Sequence, residues 1–139
     1  MLRSVLAVLL GIITLTVISF TVEAGMDPLL LRMFPQALPD DAALGANLIV
    51  RAVMFAYGAA SIAAGGYVTA RVARRAPVGH ALAMGLLQSA LTLYAMYAVV
   101  KHAPTWIWVI STVMAVPAAW IGGLIAARRE PAKALPADG

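Results

Sequence analysis

Charged residues divide the chain into long stretches that hold none. Nineteen residues separate Arg3 from Glu23, and nineteen separate Arg51 from Arg71. Twenty-five lie between Arg75 and Lys101, and twenty-six between Lys101 and Arg128. A bilayer core of about 30 Å takes roughly 20 apolar residues in a helix. Four windows meet that length and no other stretch does. Lipid offers backbone N–H and C=O groups no partners, so each span is expected to be helical. The pattern predicts an all-α fold, a polytopic four-helix transmembrane bundle. Its helices cover about 4–23, 41–74, 78–100 and 105–128 within one domain, residues 1–130. The Pro/Ala-rich segment 131–139 reads as a disordered cytoplasmic tail.

Composition narrows the class. Of 139 residues 63% are hydrophobic and 12% charged, half the charge of an ordinary soluble domain. That excludes a water-soluble globule, a disordered chain and a nucleic-acid-binding domain. Without cysteine there is no disulfide, thiol chemistry or cysteine-bound metal.

The basic residues carry topology. Arg3, Arg71, Arg74, Arg75, Arg128, Arg129 and Lys133, seven of ten, fall on one side of the four spans. Arg32, Arg51 and Lys101 fall on the other, with four of the six acids, Glu23, Asp27, Asp40 and Asp41. The positive-inside rule then puts both termini in the cytoplasm, N-in/C-in. Membrane lipid is an expected partner, with Arg71, Arg74, Arg75, Arg128 and Arg129 as candidate contacts to anionic headgroups. A cleaved signal peptide ending at Val22-Glu23-Ala24 is the rival for the first span, but the apolar run exceeds the usual length.

The loops have their own signals. Asp27-Pro28 reads as an N-cap and first residue of a short apolar turn that Pro35 stops, lying in the outer interface. Asp40 and Asp41 are expected to cap the second helix, with Arg51 snorkelling at the outer boundary. Arg74-Arg75-Ala76-Pro77 is a tight turn, and Trp106 and Trp108 form an aromatic belt after the short loop at Lys101-His102.

An echo links the two halves of the chain. GGYVTAR (Gly65 to Arg71) and GGLIAAR (Gly122 to Arg128) close the second and fourth helices at one membrane face. Gly11 with Thr14 and Gly85 with Gln88 repeat more weakly on the first and third, as a tandem helical hairpin would. The segment GGYVTARVARRAPVGHALAMGLL (Gly65 to Leu87), about a sixth of the chain, resembles segments of small, uncharacterised four-helix bacterial inner-membrane proteins. The resemblance implies the membrane and the helix number, and no activity or site residue.

Small residues at helical spacing mark packing faces: Gly58 and Gly65 on the second helix, Gly85 on the third, Ala115 and Gly122 on the fourth. Close backbone approach and interhelical hydrogen bonds replace the missing hydrophobic drive between helices in lipid. Counting ten residues inward from each cytoplasmic end reaches Thr14, Ser61, Gln88 and Pro117, a candidate midplane polar layer. Pro117 frees the Val113 carbonyl, which the Gln88 amide, Ser61 or Thr14 are placed to answer. Structural glue and a small polar-ligand site are the two readings of that layer.

No ionisable residue falls inside a window away from its ends. Small multidrug transporters have four helices and similar length but depend on an embedded glutamate in the first, whereas Glu23 falls at the outer end of this one. That weighs against proton-coupled efflux. His80 and His102 are about 33 Å apart along one helix and cannot share a metal or haem in a protomer. The outer acids read as caps and a solvated loop. Neither a cofactor nor a metal site is expected, and no Ser–His–acid set shares one depth. The sequence therefore favours a non-catalytic accessory or scaffold subunit, or a homo-oligomer, acting through helix–helix contacts. The partner would be another membrane protein or a second copy, with no role for nucleic acid. The alternative is a small permease or channel with its site in the polar layer.

Overall fold

The computed structural model describes residues 2–36, 47–73, 75–98 and 104–129. Four helices account for nearly all of them: α1 (Leu2–Met33), α2 (Leu48–Ala73), α3 (Pro77–Ala98) and α4 (Thr105–Arg128). Each is long and apolar enough to cross a membrane. Asp40, Asp41, Arg74, Lys101, His102 and the tail 131–139 lie outside the described residues.

The chain alternates in direction. α1 opposes α2, since Arg3 Nε donates to the Val72 carbonyl at 3.3 Å while Leu30 packs with Val50 near the other end. α3 opposes α4, with Ala81 beside Gly123 and Ser89 Oγ donating to Thr112 O at 2.8 Å. α2 and α4 run parallel: Phe55 meets Trp106 edge-on at 6.3 Å, and Ala70 and Ala126 share a cluster. One end of the bundle therefore gathers Arg3, Arg71, Arg75, Arg128 and Arg129, and the other gathers Glu23, Asp27, Arg32 and Arg51. α2 touches all three other helices, and the seam between α1 and α3 is the thinnest that holds more than stray contacts.

Helix α1 corrects one expectation. The helix does not end near Glu23 but continues through Asp27-Pro28 to Met33, about 48 Å in all. Pro28 removes one backbone donor, a loss that apolar helices tolerate when neighbours compensate. Here Leu30, buried, packs on Val50 with Phe34, Val53 and Met54 around it, and Phe34 N–H closes on Leu30 O at 2.7 Å. Tertiary contact thus carries one helix through the Asp-Pro that reads as the start of a separate turn. α2 begins with Asn47, whose Oδ1 accepts the Val50 N–H at 3.1 Å, an N-cap.

The core is built from small residues and the outer surface from large ones. Ala7, Gly11, Gly65, Thr69, Ala81 and Ala119 are buried, whereas Leu6, Ile13, Phe20, Leu86, Val113 and Trp120 are exposed. That inversion of the soluble pattern is expected where the outer surface meets lipid.

α2 and α4 meet backbone to backbone. A methyl on Gly66 would strike the Ala119 carbonyl, and one on Gly122 would strike the Ala63 carbonyl. The contact is reciprocal, with Gly66 and Gly122 in matching roles. The sequence echo instead aligns Gly65 with Gly122, one residue out of register. Gly65 faces α1: a Cβ there would lie 2.7 Å from Gly11 O. The outer helices also break the symmetry, because α3 packs on α2 while α1 and α4 have no comparable seam.

Candidate functional site

The four residues of the expected polar layer do not converge. Thr14 Oγ1 donates to Leu10 O at 2.7 Å and Ser61 Oγ to Tyr57 O at 2.9 Å, each within its own helix. Pro117 is exposed on the outer face of α4. Gln88 lines both cavities described below, and its Nε2 lies 3.4 Å from Thr92 Oγ1, one turn along α3. Counting depth along a helix fixes no direction: one level admits every azimuth, and a hydroxyl can satisfy itself on the i−4 carbonyl. Ser89, which had no place in the layer, makes a polar bond between α3 and α4.

Of the expected packing residues, Gly65, Gly85, Ala115 and Gly122 are buried at helix contacts. Gly58 is not: a Cβ there would meet nothing within 4 Å, and the residue lines a cavity. Gly66 and Gly123, which the four-residue spacing passed over, are buried against α4 and α3.

The cavity lies among the four helices on the side of the acids and measures about 220 Å³. α1 contributes Ser19 and Glu23, α2 contributes Arg51, Phe55, Tyr57 and Gly58, α3 Gln88 and Thr92, and α4 Ser111. A second cavity of about 360 Å³ lies between α1 and α3 and shares Ser19, Glu23, Gln88 and Thr92. Its remaining wall is mostly apolar, with Ile12, Phe20 and Leu91 beside Thr16, and Trp108 of α4 borders it. The Trp108 indole N–H is buried with no acceptor among the described residues. The second cavity falls at the low end of the range of small-ligand sites, about 300–1,000 Å³, and the first just below it.

Two charges on this wall overturn the expectation of a neutral interior. Arg51 does not snorkel away from the bundle; it is 8% exposed, lines the first cavity, and its guanidinium lies 5.8 Å from the centre of the Phe55 ring. At that distance the cation interacts with the ring face. Glu23 lies ten residues inside the end of α1 and borders both cavities. Tyr57 sits within range of the charges of Glu23, Asp27 and Arg51. The signal was present in the spacing. Glu23 stands four residues after Ser19 and eight after Leu15, on the face that α1 turns inward.

At the opposite end Arg71, Arg75, Arg128 and Arg129 are exposed, as lipid contacts require. Ala76 turns the chain there with φ of 46°, and His80 Nδ1 lies 3.1 Å from its carbonyl, at the start of α3. Comparison of the chain with protein families, with curated proteins and with solved structures finds no match.

Proposed function

We propose that this chain is a small multi-pass protein of the bacterial inner membrane, with both termini cytoplasmic, and that it binds a small polar solute and lets it pass as a permease. The observation that carries the reading is the pair of opposite charges, Glu23 and Arg51, on the wall of one cavity among four apolar helices. Ionisable side chains inside such helices are expensive and mark solute or ion pathways. The gathering of Arg71, Arg75, Arg128 and Arg129 at one end supports the orientation by the positive-inside rule, and the same arginines suit anionic headgroups. Hydroxyls, an amide and charges suit binding and passage rather than bond chemistry, so the protein is read as a non-enzyme.

Flux through liposomes tests this. Vesicles holding the purified protein should release small polar solutes faster than empty vesicles, and Gln88→Leu should abolish the difference. Equal release from protein-bearing and empty vesicles would sink the permease reading.

A second reading, an accessory or scaffold subunit or a homo-oligomer, has one observation in its favour. Ala52, Ala56 and Ala60 lie one turn apart on α2 and are all exposed, a small-residue face left over after the protomer has packed. Native purification with mass spectrometry would reveal a stoichiometric partner or second copy if that face is used.

A further inference from the structure

We infer that the cavity selects zwitterions, with an ammonium facing Glu23 and a carboxylate or phosphate oxygen facing Arg51. The inference rests on the solute-binding reading above and adds the chemical class. Glu23 and Arg51 line the same 220 Å³ space. A ligand with only a positive charge is drawn to Glu23 and repelled by Arg51; one with only a negative charge meets the reverse. A zwitterion is attracted at both ends, and in surroundings of low dielectric the distinction is large. Ser111 and Gln88 supply neutral hydrogen-bonding groups on the same wall.

The second cavity adds an apolar requirement. Glu23 borders it as well, so a group bound at Glu23 has apolar room beside it among Ile12, Phe20 and Leu91. It lies at the thin α1–α3 seam, the side by which an alkyl chain would leave the bundle. The same chemistry occurs in an aminoalkyl acid free in water and in the headgroup of an aminophospholipid.

Calorimetry of the full chain in neutral detergent tests the class with three probes on one skeleton: δ-aminovalerate, pentylamine and valerate. The zwitterion should bind at least about tenfold more tightly than either single-charge analogue. Glu23→Gln should reduce it to the affinity of valerate, and Arg51→Gln to that of pentylamine. Should Arg51→Gln not fold, the Glu23→Gln arm decides alone. Binding of pentylamine or valerate as tight as that of δ-aminovalerate overturns the zwitterion and leaves the solute site standing. Binding of none of the three, with no flux in liposomes, overturns both. Two further probes separate the sources. Dihexanoyl-phosphatidylethanolamine binding without free phosphoethanolamine identifies a lipid headgroup, and binding of both identifies a water-borne solute.

Discussion

The end of the bundle near Arg71 and Arg128 and the end near Glu23 and Arg51 are built from the same four helices, yet only one of them is closed. Each helix changes character along its length. α1 passes from Ala7 and Gly11 to Ser19 and Glu23, and α2, read backwards, from Thr69 and Gly65 to Tyr57 and Arg51. α3 passes from Ala81 and Gly85 to Gln88 and Thr92, and α4, again backwards, from Gly122 and Ala119 to Ser111 and Trp108. Where the facing residues are small, backbones come within contact of one another. Where they are longer and polar, the helices stand apart and leave two cavities. The closed end fixes the crossing of α2 and α4, and the open end is free to carry chemistry.

The sharpest way to break this contrast is the substitution of alanine for Gly122. Its methyl would strike the Ala63 carbonyl, a backbone atom that cannot swing aside. Separating α2 from α4 should cost about 2–3 kcal/mol, a typical price of overpacking. Unfolding in mixed micelles would read it directly. A Gly122→Ala protein as stable as wild type would mean that the helices do not meet there.

A smaller effect is expected at the boundary between the ends. Ser89 Oγ bonds the Thr112 carbonyl across α3 and α4, whereas Gln88 bonds Thr92 on its own helix. Ser89→Ala should therefore destabilise by about 0.6 kcal/mol, the average for a polar contact between membrane helices. Gln88→Leu should change stability less than Ser89→Ala in the same assay while affecting solute handling more. The reverse order would make Gln88 the structural glue and Ser89 incidental.

These residues also show what the sequence made legible. Helix number followed from charge-free windows, because hydrophobic length is a one-dimensional property. Gly65, Gly85, Ala115 and Gly122 were recognisable as packing residues because small side chains have few other uses in an apolar helix. The register of α2 on α4 was not legible: two adjacent glycines, Gly65 and Gly66, serve different neighbours, and only the crossing decides which serves which. The cavity was missed for a related reason. Glu23 and Arg51 stand at the ends of their windows, where a charge usually turns to water. The spacing of Glu23 from Leu15 and Ser19 carried its inward direction, whereas that of Arg51 is set by how α2 packs.

The least disruptive change tests the open end with the same chemistry that breaks the closed one. Gly58 lies on α2 two turns from Gly65, and by spacing alone belongs to the same stripe. A methyl there meets nothing within 4 Å. Gly58→Ala should therefore leave stability unchanged or raise it by up to about 1 kcal/mol, because alanine restricts the helix backbone more than glycine does. Unfolding in mixed micelles alongside Gly122→Ala gives the comparison on one scale. If Gly58→Ala costs as much as Gly122→Ala, the helices are as tightly joined at the acidic end as at the basic end, and the space assigned to a solute does not exist. If the protein is stable but its solute release falls, the methyl has taken up room that a solute uses. Space at that position then belongs to the site, and the gap in the packing is a functional feature of α2.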